Sequence, residues 1–357
     1  LVINQGEENM EQLAIVTRNR YVESIHHGCI CVVDPEGNVV YKKGDINTMF
    51  FFRSAAKPIQ IIPFIQSGGA KAMNYTPKEI AIGCASHSGE PEHQKTVLNV
   101  LKRLNLDVKD LLCGARRPYS DKENNRLISH GEKPSALHSG CSGKHAAMLA
   151  YSKYMGCDTS DYNKISHPVQ QEVLKAIGFF AEQEVESIPI GVDGCGLPIF
   201  ILPVYNMALA YARLTGYSQD PGSAYYEACK TVFDAMNEHP EMVAGTGEFD
   251  TELIRHTNGK LIAKIGAEAV YCLGIKEKNL GVCIKIADGS ERAVYPVVMQ
   301  LLLELGVINN SEYEKLKHWH KAKLLNSLEE HIGYIIPVFQ KNEILSLGSR
   351  VNLNTGD

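Results

Sequence analysis

The sequence lacks a long uninterrupted apolar run, an excess of charge of one sign, and a basic start followed by an apolar stretch. Its most apolar stretch, residues 197–212, is interrupted by Pro198, Pro203 and Asn206 and is too short to span a membrane. The 36 basic and 41 acidic side chains leave a net charge of −5, so we expect no nucleic-acid partner. These absences predict a soluble protein with no membrane contact and no secretory signal.

Cysteine is not scarce, because the 357 residues contain ten of them. They have no regular spacing, and Cys29 and Cys31 lie inside an apolar run. This usage is typical of reduced thiols rather than of a secreted disulfide scaffold. The cysteines therefore predict a cytoplasmic location.

The two ends of the chain carry strand patterns, and the middle carries helical patterns. Short β-rich runs occupy 12–18 and 24–45, and a second pair of strands is predicted at 260–275 and 279–290. Apolar residues recur at helical spacing in the middle of the chain, and a last helix is expected to pack back on the terminal strands. The predicted helices include 93–106, 142–156, 168–182, 224–239 and 294–307.

This order predicts an α/β (α+β) protein with one mixed sheet built from both chain ends and an inserted helical sub-domain. The sheet-containing part is predicted at 11–52 and 240–357, and the mainly helical part at 53–239. Residues 1–10 are predicted to be a polar extension. A cleft is expected where the two parts meet, which is where small-molecule sites are common.

The first candidate site is the segment RSAAK at 53–57. Ser54 and Lys57 are three residues apart, so a helix would place them on one face. A neutral lysine can remove the proton of a serine hydroxyl and make it a nucleophile, provided that burial or nearby positive charge lowers the lysine pKa. A capping serine beside a solvated lysine is the alternative, and the spacing alone leaves it open.

Two further segments place polar side chains beside glycines. GCASHSGEPEHQ, 83–94, contains Ser86 and His87, and its alternative interpretation is a loop whose serines satisfy backbone groups. HSGCSGKH, 138–145, leads into a predicted helix whose start could face an anion. Its glycine spacing is not that of a phosphate-binding loop, so nucleotide binding is not expected.

The remaining candidates are two cysteines and a lysine. Cys141 and Cys195 could bind a soft or borderline metal, although their spacing matches no paired Cys-x-x-Cys site and two unrelated thiols remain the alternative. Lys264 ends a predicted strand and is followed two residues later by glycine, a setting similar to the Lys-Thr-Gly box of serine acyl-transferases. A surface lysine paired with Glu268 is the alternative there.

Taken in order, these segments resemble one family, the Rhizobium-type L-asparaginases, also called the thermolabile asparaginase II family. The resemblance runs from about residue 22 to residue 296. It implies a fold similar to that of serine β-lactamases and glutaminases, and hydrolysis of L-asparagine to L-aspartate and ammonia. The segments that carry it are FFRSAAKPIQ, CASHSGEPEHQ, CGARRPYS, HSGCSGKHAAMLA, HPVQQEV, VDGCGLPIF, KIGAEAVY and KIADGS.

The resemblance also implies catalytic roles. The Ser-x-x-Lys pair of the family matches Ser54 and Lys57, and its second Ser–Lys pair matches Ser86 and Lys264. Neutral Lys57 is then expected to accept the Ser54 proton as the hydroxyl attacks the side-chain amide. Two lysines close together suppress each other's protonation, which favours a neutral amine.

A zinc site and a substrate site follow from the same resemblance. The zinc position of the family matches Cys141, Lys144 and Cys195, and Asp193 is expected to orient a zinc-bound water. A homodimer is also expected. The candidate substrate-binding residues are Arg53, His87, Asp193 and Gly266.

Two other functions remain open at this stage. One is a different serine acyl hydrolase on the same scaffold, such as a glutaminase, an esterase or a β-lactam-processing enzyme. The other is a non-catalytic module that binds zinc or an amino acid. Turnover of asparagine, glutamine, an ester and a β-lactam side by side would distinguish the acyl hydrolases from one another. Ligand binding without ammonia release would indicate the non-catalytic module.

Overall fold

The computed structural model describes residues 9–339, and its largest element is an antiparallel sheet. Most of the predicted extension 1–10 lies outside this range, and only its last two residues are described. The end of the predicted part 240–357 also lies outside it. The strands are β1 Glu11–Arg18, β2 Tyr21–Val33, β3 Val39–Lys43, β4 Met49–Phe51, β5 Ile190–Val192, β6 Pro198–Pro203, β7 Leu261–Gly266, β8 Val270–Ile275, β9 Leu280–Ile286, β10 Ala322–Leu325 and β11 His331–Pro337.

Both chain ends contribute strands to this sheet, which confirms the α+β class. Its order is β10-β11-β1-β2-β9-β8-β7, and β3 pairs with the second half of β2. The pairing of Ala14 with Pro337 joins the two ends of the described chain. Every strand pair described in the sheet is antiparallel, so the expectation of a mixed sheet was wrong. Most neighbouring strands are joined by direct chain reversal, which produces antiparallel pairs.

The sheet contains more strands than the sequence patterns predicted. The run 260–275 is a hairpin of β7 and β8 rather than one strand, and β10 and β11 were not predicted. The turn of the hairpin has left-handed backbone at Glu268 (φ 64°) and Ala269 (φ 54°). Neither residue is a usual turn former, so no local signal marked the reversal.

The helices lie mainly between β4 and β7. They are α1 Lys57–Gln60, α2 Ile62–Gln66, α3 Gly69–Ala72, α4 Pro77–Gly83, α5 Pro91–Arg103, α6 Asp121–Ser129, α7 Ser142–Met155, α8 Pro168–Ala181, α9 Val204–Tyr217, α10 Tyr226–Glu238, α11 Pro240–Val243, α12 Phe249–His256, α13 Glu291–Glu304 and α14 Asn310–His320. Within the residues described, no helix has the length and apolar character needed to cross a bilayer.

The helical middle also holds a second, three-stranded sheet of order β4-β6-β5. The apolar stretch 197–212 therefore divides into β6 and most of α9, with the break at Pro203. Proline has no backbone N–H to donate to a ladder, so it commonly ends a strand and precedes a helix.

The core lies between the large sheet and the helices. Every residue of β8 and β9 is buried, so these strands are covered on both faces. Helix α9 packs on β2, β8 and β9, and α13 packs on β1, β9 and β11, as expected for the last predicted helix. A Cβ at Gly281 would lie 2.1 Å from the Ala208 carbonyl oxygen of α9, so glycine permits this close approach.

The 3₁₀ helix Arg53–Ala56, referred to below as the 3₁₀ turn, connects β4 to α1 and packs on β7. The loop after α4, the start of α7 and the start of α12 meet at the same place. This junction of sheet and helices holds the candidate site.

Candidate active site

Ser54 is held in the 3₁₀ turn by contacts on two sides. The preceding residue, Arg53, has a φ of 48°, a left-handed conformation that costs free energy in a residue other than glycine. A Cβ at Gly266 of β7 would lie 3.1 Å from the backbone nitrogen of Ala55, so glycine lets the strand approach the turn. From α9, the Tyr211 hydroxyl donates a 2.7 Å hydrogen bond to the Ala55 carbonyl. The position of Ser54 therefore depends on elements distant in sequence.

Two adjoining cavities meet at Ser54. The larger encloses about 290 Å³ and the smaller about 70 Å³. They share the lining residues Ser54, Ser86, Tyr119 and Ala267. The larger cavity, referred to below as the cleft, also has carboxylates in its wall, namely Glu248, Asp250 and Glu291. The smaller is also lined by Arg53, Arg116, Cys141, Asp193 and Cys195.

Lys57 is fully buried and does not contact Ser54 by a hydrogen bond. Its Nζ lies 3.0 Å from Ser86 Oγ and 3.3 Å from Cys141 Sγ, and it also donates to the Ala85 carbonyl. Among the described residues, the Ser54 hydroxyl has no hydrogen-bond partner. The lysine thus bonds directly to the second serine of the site, and the first serine is free to face the cleft.

The loop after α4 supplies Ser86, and His87 holds this loop in place. The Gly89 N–H donates to His87 Nδ1 at 3.2 Å, so Nε2 carries the proton and donates to Ser142 Oγ at 2.9 Å. His87 is fully buried, and burial, reinforced by the neighbouring charged groups, holds its pKa well below the ordinary value. It lines neither cavity, whereas Arg53 and Asp193 line the smaller one; Gly266 packs on the 3₁₀ turn without lining either cavity.

Lys264 of β7 is the second buried lysine of the site. Its Nζ lies 3.5 Å from Asp250 Oδ2 and donates to the Ile265 carbonyl at 2.7 Å. Burial lowers the pKa of Lys264 to about 8, despite the opposing effect of the Asp250 carboxylate. The positive charge of Lys57 lowers that pKa further. Lys264 can therefore exist in both protonation states near neutral pH.

Asp250 was not identified by the sequence analysis. It is 2% exposed, accepts a 3.0 Å hydrogen bond from the Ile265 N–H through Oδ2, and has no hydrogen-bond partner for Oδ1 among the described residues. It belongs to the first turn of α12, 14 residues before its lysine partner. No local motif marked it, because only the packing of α12 on β7 brings the two together.

The two cysteines of the site are adjacent. A hydrogen bond from the Cys195 thiol, with the charges of Lys57 and Lys144, holds the pKa of Cys141 well below its ordinary value. The same contact raises the pKa of Cys195, which also lies 3.7 Å from Asp193 Oδ2. In this positively charged setting, the contact favours ionisation of the Cys141 thiol over that of Cys195.

Asp193 connects the thiols to the 3₁₀ turn. Its Oδ1 accepts hydrogen bonds from Arg53 at 3.1–3.2 Å and from the Gly194 N–H at 2.9 Å. Burial opposes ionisation of this carboxyl, but the positive charges of Lys144 and Arg53 outweigh it and hold its pKa below the ordinary value. Arg53 and Asp193 are thus paired with each other in the wall of the smaller cavity.

Cys141, Lys144 and Cys195 are the side chains that the sequence analysis expected to hold a metal. Within residues 9–339, no group of three His, Cys, Asp or Glu side chains is arranged to hold a metal ion. Cys141 and Cys195 are two adjacent sulfur donors, and Lys144, 3% exposed, is the neighbouring nitrogen donor. Two thiolates and one amine suit zinc in donor chemistry, provided that the lysine loses its proton.

These features define an α+β protein with a polar, enzyme-like cleft built around buried lysines and serines. The family model described as L-asparaginase II matches residues 14–337, and the chain belongs to that family. It is therefore an asparaginase-type amidohydrolase. No curated protein matches the chain.

Solved structures of other proteins also align with the chain, among them the two that follow. A putative β-lactamase from Bacteroides dorei DSM 17855 is 14% identical, with a TM-score of 0.41, and the alignment covers 77% of this chain and 93% of that one. The octameric penicillin-binding protein homologue from Pyrococcus abyssi is also 14% identical with a TM-score of 0.41, covering 87% and 86%. Scores this low add nothing to the architecture described above.

Proposed function

We propose that the protein hydrolyses the side-chain amide of L-asparagine to L-aspartate and ammonia. The observation that carries this proposal is the cleft at Ser54, in which an unbonded hydroxyl lies beside a buried serine–lysine contact in a chain of the L-asparaginase II family. Arg116, in the wall of the smaller cavity, supplies positive charge for the substrate carboxylate, and Arg53 in the same wall is held by its ion pair with Asp193.

Ser54 is the proposed nucleophile. Its Oγ bonds to the carboxamide carbon, the C–N bond breaks, and ammonia leaves with the proton that the serine gave up. Water then cleaves the resulting ester, releases aspartate and restores the hydroxyl. The start of the 3₁₀ turn supports charge stabilisation at the carbonyl oxygen, because the first N–H groups of a helix have no partner within it.

Proton transfer is assigned to Lys57, Ser86 and Lys264. The 3.0 Å contact of Lys57 Nζ with Ser86 Oγ supports a path in which the Ser54 proton reaches the lysine by way of the second serine. Lys57 can accept that proton if it passes one on, and Lys264, whose pKa of about 8 makes a neutral amine accessible near neutral pH, is the proposed final acceptor. Ammonia formation then returns the proton along the same groups.

We also propose that Cys141, Lys144 and Cys195 hold a zinc ion. The adjacency of the two sulfurs and the low pKa of the Cys141 thiol support this assignment. When bound, zinc would supply positive charge that positions a substrate carboxylate or amine. Asp193, which is paired with Arg53, lies in the wall of the smaller cavity. There it would orient the ligand groups that enter this cavity beside Ser54.

A homodimer in the cytoplasm completes the proposal. All ten cysteines are unpaired, which supports a reducing compartment. Light scattering of the purified protein and fractionation of its source cells test these two points. A monomer, or recovery outside the cytoplasm, would contradict them.

The catalytic assignment is tested by ammonia release from asparagine and glutamine, together with hydrolysis of an ester and of a β-lactam. We expect asparagine to be preferred, Ser54→Ala to abolish turnover, and exposed Ser311→Ala to leave it unchanged. Mass spectrometry of quenched enzyme should place a trapped acyl group on Ser54. An acyl group on Ser86, whose hydroxyl contacts Lys57 directly, would transfer the nucleophile role to that serine. Preference for another substrate would replace the proposed activity.

A further inference from the structure

One segment that carries the family resemblance, KIADGS at 285–290, has no role in the proposed chemistry. It begins at Lys285 near the end of β9 and ends just before α13. Lys285 is only 5% exposed, although lysine side chains are usually solvated. Burial of an amine costs free energy unless its hydrogen-bonding groups are satisfied, so the partners of Lys285 indicate what it holds in place.

The Lys285 amine bonds to the backbone beside the candidate site. Its Nζ donates a 2.6 Å hydrogen bond to the Glu268 carbonyl in the turn between β7 and β8, and it also donates to the Ile286 carbonyl. Both acceptors are backbone oxygens, and within residues 9–339 Lys285 forms no ion pair. Its strongest link to another element is therefore the one to the β7–β8 turn.

The same amine also contacts the strand that leads to Ser54. Its Nζ lies 5.0 Å from the centroid of the Phe50 ring in β4, within the range at which an ammonium group is attracted to an aromatic face. Strand β4 continues directly into the 3₁₀ turn that holds Ser54. One buried side chain thus connects two segments that meet at the proposed nucleophile.

The β7–β8 turn depends on such contacts because its backbone is strained. Glu268 and Ala269 both have left-handed backbone, which residues other than glycine keep only where the surroundings impose it. The Ala269 carbonyl accepts a 3.1 Å hydrogen bond from the Ile286 N–H, next to the contact of Lys285 with Glu268. A Cβ at Gly289 would lie 2.4 Å from Glu268 Oε2, so glycine leaves room for that side chain. KIADGS therefore supports the turn at several points.

The turn in its place forms part of the wall around Ser54. Ala267, which precedes the strained residues, lines both cavities together with Ser54. Gly266 packs on the 3₁₀ turn, where an added Cβ would lie 3.0 Å from Arg53 Cβ. A shift of the β7–β8 turn would therefore move Ala267 relative to the nucleophile. A misplacement of about 1 Å can slow a reaction about a hundredfold.

We propose that Lys285 is a positioning residue of the active site, which holds the β7–β8 turn against β4 so that Ala267 stays beside Ser54. Lys285 itself lines neither cavity and acts only through the backbone that it bonds. The inference rests on the proposed function, because its consequence is measured in the reaction at Ser54. A purely structural role in the sheet is the alternative, and it predicts lost stability without lost turnover.

The test removes the amine and keeps the apolar stem, by Lys285→Met. At a temperature well below unfolding, kcat for ammonia release from asparagine should fall about tenfold or more, because Ala267 is no longer held in place. Hydrogen exchange of the backbone at 266–270 should become faster. Buried Val282→Ala in the same strand is the matched control, since it lowers the unfolding temperature without touching the turn. Exposed Lys278→Met controls for loss of a lysine elsewhere.

Both controls should keep the kcat and the turn exchange of the unmodified protein. A Lys285→Met protein that is less stable but turns over at the original rate would overturn the inference, as would an equal loss of kcat in Val282→Ala. If Lys285→Met does not fold, Phe50→Leu replaces it: the loss of the ring should lower kcat, and an unchanged kcat would overturn the inference.

The exchange measurement separates this inference from the proposed function. If the unmodified protein released no ammonia from asparagine, the proposed function would fail, whereas the contact of Lys285 with the turn would still be tested. Faster exchange at 266–270 in Lys285→Met would then support the positioning of the turn, and unchanged exchange would overturn it.

Discussion

The ion pair between Asp250 and Lys264 provides the sharpest test of the proton-transfer scheme. Burial lowers the pKa of Lys264 to about 8, and the carboxylate 3.5 Å away prevents it from falling further. The scheme requires a neutral amine, so activity should be present above this pKa and should be lost as the pH falls through about 8.

Asp250→Asn removes the charge and keeps an acceptor oxygen for the Ile265 N–H. At 3.5 Å and an effective dielectric constant near 20, two unit charges interact by about 5 kcal/mol, which is an upper bound for this pair. One opposite charge at such a distance usually changes a pKa by about one to three pH units. The rising limb of the pH–rate profile should therefore move to lower pH by about that amount.

The assay is ammonia release from asparagine between about pH 5 and pH 10, reported as kcat and kcat/KM at each pH. Exposed Asp161→Asn is the control for loss of a carboxylate elsewhere, and far-UV circular dichroism establishes that each variant is folded. A folded Asp250→Asn protein whose rising limb stays at the pH of the unmodified protein, or moves upward, would refute the assignment of that limb to Lys264.

Three further predictions concern the 3₁₀ turn and the thiols. Gly266→Ala should destabilise the fold by about 1–3 kcal/mol and reduce kcat, because the added Cβ would lie 2.6 Å from Val270 Cγ1; urea unfolding and turnover measure both. Tyr211→Phe should cost about 1–3 kcal/mol by leaving the buried Ala55 carbonyl unpaired, and an unchanged unfolding curve would contradict this. Cys141→Ser should lower the zinc content found by elemental analysis. In the unmodified protein, the affinity for zinc measured by titration should fall from pH 8 to pH 6, because the ligands take up protons. Equal affinity at both pH values would argue against this site.

Much of the fold could be predicted from local patterns. Helices such as α5 and α8 follow their apolar periodicity, and α7 ends beside Gly156, whose φ is 70°. The β7–β8 turn could not be predicted, because its left-handed residues are Glu268 and Ala269 rather than glycine or asparagine. Tertiary packing imposes that conformation against local preference.

Much of the candidate site followed from motif order rather than from any single motif. Ser54, Ser86, Cys141 and Cys195 converge on one pair of cavities although they are far apart in the chain. The hydrogen bond of Lys57 to Ser86 was not predictable, because helical spacing relates that lysine only to Ser54. Side-chain direction within a site depends on neighbours from other elements.

By itself, the sequence determined the family, the α+β class and the identities of the serines and lysines, because residue type and motif order are properties of the chain alone. Only the tertiary structure decided how these groups are charged and connected. The Asp250 carboxylate beside Lys264, the enclosure of His87 and the unpaired Glu248 arise where α12 and the loop after α4 meet the sheet. Proton affinity depends on burial and on nearby charge, and both are properties of the folded chain rather than of its order of residues.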